Sequence, residues 1–242
     1  MNYLHEGLIQ LGFEKGDFFG IKTLPLLELE QKMDSYIKIL QEYNAKFDLI
    51  NTDNYDEIAV RHILDSLSGA SKVAELCAGL VQNSGVDLAL GVQSLLLADI
   101  GSGAGLPGIP LSATFPSLQF TLVERMTKRC AFLTHCAGEL KLNNVTVEEN
   151  QAERLDQKRF DLCVFRAFRP LDKKMLKVLR RILKDGGKLA AYKARSEKIA
   201  EEMGALESSK PKYVVEPLKV PFLTENSGEA EERERNLVII ER

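Results

Sequence analysis

The 242-residue sequence has no tryptophan, three histidines and four cysteines, and each scarcity narrows what the chain can do. Cys77, Cys130, Cys136 and Cys163 form no CxxC pair and are too scattered for a disulfide framework, so buried, inert thiols are expected. His5, His62 and His135 are dispersed, which leaves no metal-ligand cluster to propose. Long apolar runs are missing too, since none reaches the roughly 18 residues of a membrane helix. The opening residues, MNYLHEGLIQ, lack the basic and apolar segments of a secretory leader, so a soluble, cytoplasmic protein is expected. Nor is there an excess of positive charge. The net charge of −3 is unlike that of proteins that coat phosphate broadly.

What is present is 45% apolar residues, enough to bury the core of an α/β domain carrying a helical extension. Charge is unevenly spread. Acid gathers between Glu225 and Glu234, whereas Arg166, Arg169, Lys173, Lys174, Lys177, Arg180, Arg181 and Lys184 crowd one segment. Such a run is ordinarily a solvated helix face; it permits an RNA partner without announcing one.

The most informative stretch is LLLADIGSGAGLPGIPLSATFPSLQFTLVE, from Leu95 to Glu124. It reads as strand, glycine turn, helix, strand. The apolar run Leu95 to Ile100 suits a strand buried on both faces of a parallel sheet. Gly101, Gly103, Gly105 and Gly108 follow it, and glycines so placed let a ligand touch backbone. A helix from Leu106 to Phe115 tolerates Pro107 and Pro110 in its first turn. The second strand, Gln119 to Val123, finishes in Glu124.

The remaining elements fall in order around this unit. Residues 1–23 read as a short peripheral helix. Leu26, Leu29, Met33, Tyr36, Leu40, Tyr43 and Phe47 form the stripe of an amphipathic helix. A second helix carries VRHILDSL, where Arg61, His62 and Asp65 share about one turn; spacing alone makes it a salt-bridged helix packed on the domain edge. Residues 69–94 form a helical insert with Val73, Leu76, Cys77 and Leu80 on one face. Beyond Glu124 come a helix over Met126 to Leu142, a strand at Val145 to Val147, a loop from Glu148 to Glu153 and a strand from Phe160 to Phe165. A basic helix, Lys173 to Leu183, is closed by a turn at Asp185, Gly186 and Gly187, and a strand runs from Lys188 to Lys193. A helix over Ser196 to Leu206 precedes strands at Tyr213 to Val220 and Leu237 to Ile240, which flank the acidic loop as an antiparallel pair. This pattern predicts an α/β, doubly wound, mostly parallel seven-stranded sheet (95–242) with an N-terminal helical extension (1–94) packed on it. Its ligand belongs beyond the carboxyl ends of the strands at the switch point.

Two cofactors compete for the glycine turn. Gly103, Gly105 and Gly108 satisfy GxGxxG, and Glu124 is suitably placed for a ribose, which is the dinucleotide pattern of a NAD-dependent oxidoreductase. Asp99 also makes the turn Asp-x-Gly-x-Gly-x-Gly, the arrangement typical of S-adenosylmethionine-dependent methyltransferases, with a carboxylate beside the methionine ammonium. A carboxylate is a poor neighbour for pyrophosphate, and Pro107 removes an N–H from the helix terminus that would receive it. S-adenosylmethionine is therefore the expected cofactor.

The segments ADIGSGAGLPGIP, FTLVERMTKRCAFL, ELKLNNV, VFRAF, VRHILDSL and ERNLVIIER together resemble the small-subunit ribosomal RNA methyltransferase family known as RsmG, formerly glucose-inhibited division protein B. The resemblance runs from Leu26 to the C-terminus. It implies a Rossmann-like class I methyltransferase that moves a methyl group from S-adenosylmethionine to N7 of one guanine in the decoding-region loop of 16S rRNA. The implied partner is that RNA or the small ribosomal subunit, and the protein is expected to be a monomer. Asp99, Gly101, Gly103, Gly105 and Leu106 would then bind the cofactor, with Glu124 on its ribose and Ala152 and Glu153 near its adenine. Arg166 would reach the same site, and Arg166, Arg61 and His62, with Asp65 beside them, become candidates for the methyl-acceptor side. Asp48, Leu49 and Ile50 stand where the family usually has Asn-Leu-Thr, and the insert after Leu67 is long.

The residues agree with that chemistry. Guanine N7 has a free lone pair and no proton to lose, so it needs neither a general base nor a covalent nucleophile. Cys163 falls inside a strand, away from any position suited to attack on a pyrimidine. Arg166, Ala167, Phe168 and Arg169 occupy the place where amine methyltransferases carry an Asn/Asp/Ser-Pro-Pro-aromatic run. Phe168 is a candidate stacking surface for the base. Arg125, Lys128, Arg129 and the basic segment would hold phosphates. A cofactor-gated RNA-binding protein without catalysis is the remaining alternative.

Overall fold

A computed structural model describes residues 2–224 and 234–242; most of the acidic loop, 225–233, lies outside the described residues. The centre is a seven-stranded sheet of order β5-β4-β3-β6-β7-β9-β8. Its strands are β3 (Leu96–Ile100), β4 (Gln119–Glu124), β5 (Val145–Glu149), β6 (Phe160–Arg166), β7 (Leu183–Lys193), β8 (Tyr213–Pro217) and β9 (Asn236–Glu241). β3 to β7 run parallel, and β9 is antiparallel to both β7 and β8. From β3 the chain passes outward to β4 and β5, then returns to pair β6 on the other side of β3. That reversal opens a crevice beyond the carboxyl ends of β3 and β6.

The two-residue period of the strands feeds two cores. Leu97, Leu122, Leu162, Val164 and Ala190 face one side, where they join residues from Leu4 through Leu142. Ala98, Val123, Cys163, Phe165 and Ala191 face the other, against α9 (Lys173–Ile182) and α10 (Ser196–Ala205). On the first side α7 (Gly108–Thr114) and α8 (Thr127–Glu139) pack with the N-terminal helices. Asn144 staples this side. Its side-chain amide donates to the carbonyls of Ser112, Phe115 and Leu118 at 2.9–3.1 Å, closing the end of α7 against β4.

The N-terminal helices share this core. In α2 (Leu26–Phe47), Leu29, Met33, Tyr36, Ile37 and Leu40 are buried, while Tyr43 and Phe47 at its end are only half-buried. α2 ends on Asp48 at φ 48°, a left-handed position that Asp and Asn tolerate better than most residues. The next helix is continuous from α3 (Tyr55–Ile58) through a π turn (Ala59–Leu64) to α4 (Asp65–Ser68). α5 (Ala70–Ser84) and α6 (Leu88–Ser94) form the insert. Val73, Ala74 and Cys77 point inward there, and Leu76 and Leu80 are only partly buried.

Four local expectations are corrected. Residues 1–23 are not peripheral: α1 (Tyr3–Gln10) buries Leu4 and Leu8, and a hairpin of β1 (Asp17–Phe18) and β2 (Ile21–Lys22) follows. The basic helix stops at Ile182, because Leu183 already pairs with Phe160. Asp185 to Gly187 is a bulge inside β7 rather than a turn before it, with the register jumping from Phe160↔Leu183 to Leu162↔Lys188. β8 stops at Pro217 and not at Val220, with one further backbone bond just beyond it, from Leu218 N–H to the carbonyl of Arg235.

Candidate cofactor and acceptor site

The glycine turn leaves β3 with its first two amides, of Gly101 and Ser102, both donating to the carbonyl of Val123 at 2.9 and 3.0 Å. Gly101 has φ 71°, and a Cβ there would lie 2.7 Å from the ring of Phe168, so glycine is needed for both reasons. Further along, Gly103 N–H donates to Glu124 Oε2 at 3.0 Å. The other carboxylate oxygen of Glu124 accepts from the amides of Arg125 and Met126 at 2.8 and 2.9 Å. Three preorganised donors thus fix a nearly buried carboxylate at the end of β4.

Glu124 and Gly101 line a cavity of about 400 Å³ together with Met126, Arg129, Asn150, Gln151, Ala152, Glu153 and Phe168. Its size suits a nucleoside-sized ligand. The Ala152–Glu153 wall is held from outside: Arg181 donates to the carbonyls of Ala152 and Glu153, and Arg169 pairs with Glu153 at 2.7 Å. The residues fit S-adenosylmethionine. Glu124 offers an acceptor to ribose hydroxyls, and the bare Cα of Gly101 allows close approach.

Other expected cofactor residues lie behind the turn and do not line this cavity. Asp99 shares its strand face with Leu97, is fully buried, and accepts at Oδ2 from Ser102 Oγ at 2.7 Å and Gly108 N–H at 3.0 Å. Burial pushes its carboxyl up to about 6, against the pull of those two hydrogen bonds. Its Oδ1 is buried with no hydrogen-bond partner among the described residues. Gly105 packs against Ile109, Leu133 and Tyr36, and Leu106 is buried beside it. Tyr36 of α2 donates its hydroxyl to the carbonyl of Ala104, so the N-terminal helices grip the turn directly.

A second cavity of about 380 Å³ lies across Ala167 and Phe168, which line both. Arg61, His62, Asp65 and Arg166 meet in its wall. The π turn and α4 deliver the first three, and the end of β6 delivers Arg166. Arg166 Nη1 bonds Asp65 Oδ2 at 2.7 Å, and its Nη2 lies 3.3 Å from His62 Nδ1. Arg235 Nε lies 3.4 Å from the other oxygen of Asp65. One carboxylate therefore sits between two guanidinium groups. Burial, reinforced by the charges of Arg166, Arg61 and Arg235, holds His62 down to about 4.

The structure thus divides the expected residues in two. Gly101, Glu124, Ala152 and Glu153 surround one cavity; Arg61, His62, Asp65 and Arg166 surround the other. Phe168 stands between them, its ring centroid 5.7 Å from that of Phe165. Sequence reasoning missed Met126, Asn150 and Gln151 in the first cavity and Tyr192, Lys193, Arg235 and Asn236 in the second. The terminal segment ERNLVIIER held a signal for the last two. All four cysteines are buried, and Cys130 Sγ donates to the carbonyl of Glu124 at 3.2 Å. Burial pushes every one of these thiols upward, as expected for inert groups. No helix among the described residues is long and apolar enough to cross a membrane.

Comparison with known proteins identifies the family. A Ribosomal RNA small subunit methyltransferase G of Treponema denticola is 37% identical, over 99% of this chain and 95% of its own length. The protein of the same name from Borrelia garinii subsp. bavariensis is 32% identical over 87% of this chain and 91% of its own. Among solved structures, a SAM dependent methyltransferase from Aquifex aeolicus matches 61% of this chain and 81% of its own at 18% identity, with a TM-score of 0.48. The family model described as GidB, rRNA small subunit methyltransferase G, matches residues 29–237, and the chain belongs to that family.

Proposed function

We propose that this protein transfers a methyl group from S-adenosylmethionine to N7 of a guanine in the 16S rRNA of the small ribosomal subunit. The observation that carries the reading is the pair of cavities at the switch point, one built around the acceptor carboxylate Glu124 and the other around Arg166, with Phe168 as their common wall. Family membership supports the RNA substrate, and such a substrate supports a cytoplasmic place of action. Both cavities are complete within one chain, which suits a monomer.

When bound, S-adenosylmethionine supplies a methyl group on a positively charged sulfur, which takes up the bonding electrons as the N7 lone pair forms the new N–C bond. The protein's part is to bind and to align. Glu124 holds the ribose hydroxyls, while the loop at Ala152 and Glu153 borders the adenine. Arg166, locked by Asp65 and by the carbonyls of Arg61 and His62, shapes the acceptor side without spending a proton. No residue has to act as a base. Alignment of reacting atoms in a water-poor site lowers a barrier by as much as about 7–11 kcal/mol. Ala167 and Phe168 line both cavities, so methyl donor and acceptor would meet beside them. Arg61, an exposed cation that lines the second cavity, is suited to meet a flanking phosphate.

The test is to incubate the protein with labelled cofactor and 30S subunits lacking the modification, and then map the methylated atom. Methyl at one guanine N7 of 16S rRNA is expected. Methyl on another base, or none, would overturn the proposal, and equilibrium binding of NAD in preference to S-adenosylmethionine would overturn the cofactor assignment.

A further inference from the structure

His62 is a group whose chemistry the positive charge of the second cavity leaves unexplained. It lies in the cavity wall, with Nδ1 3.3 Å from Arg166 Nη2. A guanidinium has donors and no acceptor. Nδ1 must therefore present its lone pair to Arg166, and in a neutral imidazole the proton then sits on Nε2. Neutrality is enforced by the surroundings, since burial and three guanidinium groups disfavour a further cation there. Arg166 is itself fixed by Asp65, so the ring's tautomer and orientation are set by a partner that cannot rotate away. The outcome is a preset N–H donor. Nε2 is buried and meets no acceptor among the described residues, a condition that costs free energy and is uncommon for a buried donor.

His62 lines this cavity, so a ligand that displaces what covers Nε2 can supply the missing acceptor. Guanine carries two acceptors side by side on the edge that contains N7, namely N7 and O6; adenine carries an amino donor in place of O6. We propose that His62 Nε2–H donates to O6 of the methyl-acceptor base and so makes the second cavity select guanine over adenine, an inference that rests on the reading above that guanine N7 is the atom methylated. An adenine in the same pose would set N–H against N–H and leave two donors unmet. Neutrality of the ring matters as well. The base becomes positively charged as it takes the methyl group, and an uncharged donor at O6 does not oppose that change as an imidazolium would.

The test compares small-subunit RNA carrying the target guanine with RNA carrying 2,6-diaminopurine at the same position, which keeps N7 and the 2-amino group but has an amine in place of O6. Wild-type protein is expected to methylate guanine about tenfold or more faster in kcat/KM, as loss of a buried hydrogen bond implies. In His62→Ala the rate on guanine falls by about that factor while the rate on diaminopurine stays nearly constant, so the discrimination collapses. His62→Phe, which keeps a ring without the N–H, gives the same result and replaces His62→Ala should the smaller residue unfold the site. His62→Gln can accept from Arg166 through its amide oxygen and donate through its amide nitrogen, and it restores part of the preference. Affinity for S-adenosylmethionine, measured by calorimetry, stays unchanged in all three. A His62→Ala or His62→Phe protein that loses equally on both bases and keeps the wild-type preference would overturn the assignment to O6. Wild-type protein that leaves guanine N7 unmethylated would overturn the reaction itself, an outcome visible before any variant is made.

Discussion

Glu124 accepts three backbone N–H groups with its two oxygens, and a carboxylate has about four lone-pair sites. The unused capacity is what remains for a ribose hydroxyl. Glu124→Ala removes both the ligand contact and the anchor of three amides, so affinity for S-adenosylmethionine is expected to drop by about 1.5–3 kcal/mol; unchanged affinity in calorimetry would contradict the assignment. Asp99 behaves differently, because its carboxyl braces the turn from beneath. Asp99→Asn keeps an acceptor for Ser102 and Gly108 and removes a buried charge, so its melting temperature should match or exceed wild type. Asp99→Ala leaves both donors unmet and should cost about 2–3 kcal/mol in urea unfolding. The two perturbed groups also tilt stability with pH in opposite directions. His62 is held near 4 against an ordinary 6.5, so as pH falls through that window the unfolded chain binds a proton the native state refuses, and stability drops. Asp99 is raised to about 6 from 3.8, so over that span the native state keeps the extra proton and stability rises as pH falls. Urea titrations of His62→Gln between pH 4 and 6.5 should therefore show a smaller loss on acidification than wild type; an identical pH dependence would mean that His62 is not held neutral by the fold.

At the scale of elements, the basic segment shows what composition conceals. Arg180 of α9 bonds the carbonyls of Glu241 and Ser209, Arg181 holds the Ala152–Glu153 loop, and Lys184 pairs with Asp161 at 2.7 Å. Lys173, Lys174 and Lys177 lie on the exposed face of the helix. Substituting these three with glutamine should lower RNA affinity and reduce the slope of log affinity against log salt by about one for each lysine that meets a phosphate. A slope equal to wild type in filter binding would place the RNA elsewhere. α2 was legible because its apolar stripe has the helical period, and the strands because continuous apolar runs sat between glycine and proline signals. The β1–β2 hairpin was not, since strands of two residues contain no period. The bulge in β7 was hidden for a related reason: Asp185, Gly186 and Gly187 spell a turn, and only the pairing of Leu183 with Phe160 shows that the strand has already begun.

For the whole molecule, one apolar core runs from Leu4 in α1 to Ile239 in β9, so the helical extension and the sheet domain stabilise each other. A chain reduced to residues 95–242 would expose the face built around Leu97, Leu122 and Leu162, and even a single Leu side chain left in water forfeits about 1.5–3 kcal/mol. Such a fragment should lack a cooperative thermal transition and expose apolar surface to a hydrophobic dye; a sharp transition would show that the sheet folds alone. The doubly wound sheet could be read from strand–helix alternation, and the position of the first cavity from the glycines after β3. The division into two cavities could not. Asp99, Gly105 and Leu106 belong to the same motif as Gly101, but which side of a turn a residue faces depends on what packs behind it, here Tyr36 and Gly108 from elements on either side.

β9 is an internal strand, seated between β7 and β8, and the residues at its start, Arg235 and Asn236, close the second cavity against Arg61 and His62 from early in the chain. During synthesis, every other strand of the sheet leaves the ribosome before β9 does. The first cavity is lined by residues 100–175, whereas the second also draws on β7 and on the start of β9. A chain whose β9 has not yet been made therefore lacks Arg235 and Asn236 from the wall of the second cavity, whatever the state of the first.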